Sequence, residues 1–262
     1  MTETTPIDAA LTAMNAAPED DALRLRFYER LADSELFLAL AGEAGGDEIT
    51  PQVFPVEDAS YVLVFDREER LAEFAEGSAP YAVLSGRGLA AMVAGQGIGL
   101  AVNPGAEASI LVPSEAVDWL AATLAEAPDE IEETPEEISA PVGLPEALIT
   151  ALDAKLVTAQ GLARLAYLCG VTYSGGRKSH LLAFVDPVPG AEPALARAAG
   201  EALTFSGIEA GVMDVGFFRA SDPVCASLAK TGLRFDLPEP KRPEHVPGTA
   251  PGMDPGKPPR LR

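Results

Sequence analysis

Apolar positions recur along the chain with two periods, and each period predicts a different element. A spacing of three and four predicts helices. In TPIDAALTAMN (5–15), Ile7, Leu11 and Met14 share one face, and Asp8 lies in the first turn, near the positive end of the helix dipole. PEDDALRLRFYERLA (18–32) opens with Pro18 and three acids, closes on Arg30, and places Leu23, Phe27 and Leu31 on a buried stripe. Helices are also predicted over REERLAEF (67–74), SGRGLAAMVA (85–94) with Ser85 as N-cap, and PSEAVDWLAATLAEA (113–127). In the last of these Ser114 is the expected cap, and Val117, Leu120 and Leu124 face inward. LPEALITALDAKLVTA (144–159) sets Leu148, Leu152 and Leu156 on one side, and EPALARAAGEALTF (192–205) follows as another helix. SDPVCASLAK (221–230) is expected to be a short helix capped by Ser221, with Pro223 in its first turn.

Alternation and short apolar runs predict the strands. These are SELFLAL (34–40), a hairpin of ITPQVFPV (49–56) and SYVLVFD (60–66), PYAVL (80–84), and ASILVP (108–113). In the second half, GLARLAYLCGVTY (161–173) and SHLLAFVD (179–186) are expected to pair antiparallel across the turn SGGRK (174–178). GVMDVGFFR (211–219) and GLRFDL (232–237) complete the set. The order predicts an α+β fold of two small α/β domains, with mixed or antiparallel sheets and helices packed on the faces. In the second domain the helices are expected on one face of a mainly antiparallel sheet. The expected division is an N-terminal domain at 1–126, a linker at 127–143, a C-terminal domain at 144–237 and a disordered tail at 238–262.

The stretch GQGIGLAVNPG (95–105) carries the glycines that a phosphate loop would need. Such a loop runs strand, glycines, helix, so that a helix N-terminus meets the phosphate. Here a helix precedes Gly95 and the strand residues Ile98, Leu100 and Val102 follow it. The stretch therefore predicts helix, strand, Asn-Pro-Gly turn, strand. Gly95 closes the helix, Gly105 turns at positive φ, and Gly97 and Gly99 permit a bend or a close neighbour.

Composition changes this picture mainly through charge. The chain has 262 residues, 19 Lys or Arg against 40 Asp or Glu, and a net charge of −21. That surface repels polyanions, which excludes general nucleic-acid or anionic-membrane binding. No apolar run approaches the ~18 residues of a membrane span, and MTETTPIDAALTAM has neither a basic nor an apolar leader region. With only Cys169 and Cys225, a disulfide framework is not expected, and a cytoplasmic location is. The linker holds six acids and three prolines and no base; it is expected to be extended by self-repulsion, or to serve as a docking segment for a basic partner. The tail holds five Lys or Arg against three Asp or Glu, leaving −23 on the rest. It is expected to be disordered, or to offer a polyproline-type ligand.

The run GQGIGLAVNPG with ASILVPSEAVDWL resembles the end of the N-terminal domain of the SseB-type (enhanced serine sensitivity) family. The segments from GLPEALITALDAKL through AYLCGVTY, HLLAFVD and GVMDVGFFR are similar to that family's C-terminal domain. The likeness runs from about Ala22 to Leu237. It implies the two-domain architecture but no reaction, cofactor or catalytic residue, because the family has no established one.

Chemical candidates are few. His180 and His245 lie far apart and the cysteines have no CxxC partner, so no metal site is expected. Ser85 and Ser206 sit near glycines, but helix-end roles account for both. Cys169 and His180 flank one hairpin and offer a conceivable dyad, against the simpler reading of Cys169 as a small buried hydrophobe. Arg177, Lys178 and His180 group on the SGGRK hairpin of an otherwise acidic protein, as a candidate contact for an anion or an acidic partner. Arg87, at a helix start, is a weaker candidate. Trp119 is either a packing residue or a contact. No catalytic residue, cofactor or metal is expected. The leading expectation is a non-catalytic binding or adaptor protein with a protein partner or small anionic ligand. The alternatives are an enzyme or sensor acting on a small amino-acid-like metabolite, or a secretion or assembly accessory.

Overall fold

The structure, a computed structural model, describes residues 4–42, 49–126, 133–207 and 213–237. The tail expected to be disordered, at 238–262, lies outside the described residues, as does the 127–132 part of the expected linker.

The chain opens with helices α1 (Pro6–Ala16) and α2 (Asp21–Asp33). Thr5 caps α1 through a capping box with Asp8, and Asp20 caps α2 by accepting from the amides of Ala22 and Leu23. Then come β1 (Glu35–Ala39), β2 (Val53–Val56), β3 (Ala59–Phe65), α3 (Glu68–Phe74), β4 (Tyr81–Ser85), α4 (Gly86–Val93), β5 (Ile98–Val102), β6 (Ile110–Val112) and α5 (Ser114–Ala125). The strands form one mixed sheet in the order β4-β1-β3-β5-β6, with β2 also paired to β3. Both β1 and β2 run antiparallel to β3, and their registers on it are consecutive. They behave as one long strand along β3, interrupted between Ala39 and Val53, where Leu40 bridges Pro51.

The period-two alternation sends Leu36, Leu38, Val62, Val64, Leu100 and Val102 to one face. There they form a core with Ile7 and Leu11, Phe27 and Leu31, Leu89 and Val93, and Val117 and Leu120 of α1, α2, α4 and α5. Among the described residues the other face carries only α3, whose Leu71 packs on Ala39, Leu63, Phe65 and Ala101.

In the second half, β7 (Pro135–Ser139), α6 (Glu146–Thr158), β8 (Leu165–Tyr173), β9 (Lys178–Val185), α7 (Glu192–Phe205), β10 (Met213–Phe218), α8 (Val224–Thr231) and β11 (Leu233–Asp236) build a sheet in the order β10-β9-β8-β11. Only β10 runs parallel to its neighbour. Part of the expected linker is thus a strand: β7 pairs antiparallel with β8, and Ile138 packs on the core.

From Leu165, where β8 begins, the side chains alternate between the two faces, whereas Ala163, before the strand, packs on the same side as Ala166. Ala166 and Leu168 face α6 and α7, while Leu165, Tyr167, Cys169 and Val171 face the opposite layer. That layer includes Leu228 of α8, so the helices are not confined to one face; the even alternation of apolar residues on β8 requires cover on both.

Two predicted caps are corrected. Pro113 and Pro223 occupy the N-cap positions of α5 and α8, and neither helix has a side-chain cap. Ser114 is already helical, its hydroxyl 3.3 Å from Glu115 Oε2. Ser221 lies before α8, where Asp222 instead accepts from the Arg219 amide at 2.8 Å.

Candidate functional site

The glycine stretch is structural. Gly95, Gly97 and Gly105 all take positive φ, at 74°, 69° and 85°, as helix stop, bend and turn. Asn103 also takes φ 50° and is fully buried. Its Oδ1 accepts from the Asp66 amide at 3.0 Å, tying the end of β5 to the end of β3.

The SGGRK hairpin carries Arg177 just before β9, and Lys178 and His180 at alternate positions of that strand. The Arg177 guanidinium pairs with Glu133 and, at 3.1 Å, with Asp214, and lies 4.4 Å over the Tyr173 ring. Those carboxylates hold its pKa above the ordinary arginine value. Lys178 is exposed at the start of β9. His180 Nε2 lies 3.1 Å from the carbonyl of Val142. Cys169 is fully buried on the face covered by α8, its thiol donating weakly to the Leu181 carbonyl at 3.6 Å. Burial pushes that thiol up to about 11. His180 pairs in register with Gly170, one residue from Cys169, so the period of two sends the two side chains to opposite faces.

Arg87 does meet anions, but they belong to this chain. It donates to both Glu201 oxygens at 3.0 Å and to Asp33 at 2.9 Å. Lys155 bridges the same two carboxylates, 2.7 Å from Asp33 and 2.6 Å from Glu201, with its side chain only 2% exposed. This cluster joins α2 and α4 of the first half to α6 and α7 of the second. Burial alone would push the Glu201 carboxyl up, but hydrogen bonds from Arg87 and Lys155 outweigh it and hold the group below the usual range. Glu29 is buried nearby with Oε1 lacking a partner among the described residues, and burial pushes its carboxyl up. Beside the cluster, Phe205 of α7 enters the first core, and Trp119 sits edge-on to both Tyr28 (5.3 Å) and Phe205 (6.3 Å). Trp119 therefore packs on both rings while remaining 39% exposed. The sequence signal for the cluster was Lys155 itself, three residues after Leu152 on the apolar stripe of its helix.

The most exposed apolar surface is the open face of the first sheet. By register, Tyr81, Ala39, Leu63, Ala101 and Leu111 form one row across it, flanked by Val83–Phe37–Phe65 and by Phe54–Tyr61–Gly99. The seven-residue helix α3 covers the middle of these rows and leaves their ends bare. Phe54, Val56, Phe74, Tyr81, Val83 and Leu111 are each at least 36% exposed; these six are half of the large exposed apolar side chains among the described residues. Scattered apolar exposure is ordinary, whereas concentration on one face marks an interaction surface. The acids around it include Glu57 and Asp58, the turn of the β2–β3 hairpin.

A cleft of ≈ 450 Å³ lies between α8 and the ends of β8 and β9, lined by Arg164, Tyr167, Asp222 and Cys225 among others. Two of its polar groups bond to the protein's own backbone, where Asp222 accepts from the Arg219 amide and Cys225 donates to the Arg219 carbonyl, and Arg164 pairs with Asp186. Among the described residues, no group of three or more His, Cys, Asp or Glu side chains is placed to hold a metal ion, and no helix is long and apolar enough to cross a membrane.

Residues 7–119 match the family described as SseB protein N-terminal domain. The match spans α1 through the first half of α5, the whole six-stranded sheet included, and stops before the second half. No curated protein and no solved structure matches the chain.

Proposed function

Because the chain belongs to the SseB family through its N-terminal domain, we propose that it is a non-catalytic binding or adaptor protein whose recognition surface is the open face of the first sheet. One observation carries the reading: four of the five helices of that half cover one face, and the other exposes aromatic and aliphatic row ends around a single short helix. The candidate bond-making groups support it from the other side, since Cys169 is buried and Arg87 and Arg177 are each neutralised by two carboxylates. In this reading the chain forms two domains, residues 1–126 and a second that begins with β7 and ends at 237, held by the buried charge cluster and acting in the cytoplasm. A surface of net charge −21 selects a partner segment that is apolar at its centre and basic at its ends.

The test is fluorescence anisotropy with two labelled proline-rich peptides of equal length, one lysine- and arginine-flanked and one glutamate-flanked. The basic peptide is expected to bind saturably, to weaken several-fold between 50 and 300 mM salt, and to lose binding in Leu111→Lys and Phe54→Lys, both at exposed positions. Equal binding of the two peptides, or no effect of either substitution, removes the open face as the recognition surface.

A further inference from the structure

We infer that the open face is occupied in the same molecule by the C-terminal segment of the chain, residues 251–262, so that recognition there is competitive with a built-in ligand. This rests on reading that face as a recognition surface. Two properties of the sequence and two of the structure converge on it.

The chain is −23 before residue 238 and +2 after it, so the segment from Pro238 is its one strongly proline-rich, net basic stretch. Residues 255–260 read PGKPPR, with Pro255 and Pro258 three apart and Arg260 two further on. Proline rings hold φ near −65°, so such a segment loses little conformational entropy when it docks in an extended form. Prolines three apart fall on one edge of that form and fit an aromatic shelf, with the arginine reaching an acidic flank.

The β2–β3 hairpin supplies both halves of such a site. Phe54 and Tyr61 are cross-strand partners on the open face, and a Cβ at the neighbouring Gly99 would come within 2.6 Å of the Tyr61 ring. The ring thus lies directly against bare backbone. Glu57 and Asp58 stand at the tip of the same hairpin, and among the described residues neither is in an ion pair. The last described residue is Leu237, and the 17 residues from Pro238 to Asp254 can span roughly 55 Å, enough to cross the ~50 Å width of a globule of this length before the motif at 255–260 begins. A second copy is the poorer occupant, because two −21 molecules repel.

The experiment places a photo-reactive side chain on the shelf of the full chain, as Phe54→p-benzoylphenylalanine, with Val157→p-benzoylphenylalanine on exposed α6 as control. After irradiation, cross-linked peptides are mapped by mass spectrometry. The expected product is an intramolecular link from position 54 to residues 251–262, absent from the control and reduced at least fivefold in Lys257→Glu/Arg260→Glu. A link between two copies, no link to 251–262, or a link unchanged by the charge reversal overturns the inference. Capture of another protein's segment at position 54 also overturns it while leaving the open-face reading standing. If position 54 captures nothing and the basic peptide does not bind either, both fall.

Discussion

Glu29 is the side chain whose cost is most visible. Its carboxyl is buried, one oxygen lacks a partner among the described residues, and Arg30 is 3.5 Å from the other. Burial raises its folded-state pKa, so the native protein holds this proton to higher pH than the unfolded chain does. Stability contributed here falls as pH rises from the ordinary glutamate value through the raised one. Glu29→Gln is expected to stabilise the protein at pH 7 by about 1–3 kcal/mol, the cost of an unsatisfied buried group, with the gain vanishing near pH 4. Urea melts at the two pH values check this; equal effects at both would show that packing, not ionisation, decides. Glu201 has the opposite sign. Its carboxyl is held below the usual range, so its contribution is present at neutral pH and lost as pH falls through the depressed value.

At the scale of elements, stripes and alternation located the helices and strands, while their ends followed backbone chemistry that spacing does not encode. Ser114 and Ser221 looked like caps, but the adjoining prolines, with no N–H to satisfy and a fixed φ, start α5 and α8. The β7 strand was illegible among acids because its pairing on β8 supplies the hydrogen bonds and only Ile138 needs burial. Gly99 was readable as a close approach, and its neighbours come from separate strands: a Cβ would sit 2.4 Å from the Val112 carbonyl of β6 and 2.6 Å from the Tyr61 ring of β3. Gly99→Ala is expected to cost about 1–3 kcal/mol, because a backbone atom cannot swing aside, and to displace the Tyr61 ring. Thermal melts and the aromatic NMR signals of Tyr61 measure both effects; an unchanged Tm would mean that β6 yields freely.

Across the whole molecule, Lys155 couples the halves. It is a cation buried between Asp33, 122 residues away in sequence, and Glu201. Lys155→Met would leave those carboxylates sharing Arg87 alone. The expected loss is about 3–5 kcal/mol, the cost of breaking a buried pair by removing one member. It should be accompanied by faster amide exchange at the C-terminal turns of α2 and α7, read by urea unfolding and hydrogen exchange. A loss below 1 kcal/mol would assign the coupling to Phe205 and Trp119 instead.

By itself the sequence determined the α+β class, the buried stripes of α1, α5 and α6, the turn role of the GQGIGLAVNPG glycines and the acidic composition, while on α2 it named Leu23 where Leu25 packs on the core. Each of these depends on residues a few positions apart, where covalent geometry sets the period. Tertiary structure alone decided that Arg87 and Arg177 are neutralised by carboxylates more than 30 residues away, that Cys169 and His180 look in opposite directions, and that, among the described residues, one face of the first sheet is covered by a single short helix. Those outcomes depend on which surfaces meet, and burial converts a charge on an apolar stripe into an obligation that only a distant partner can satisfy.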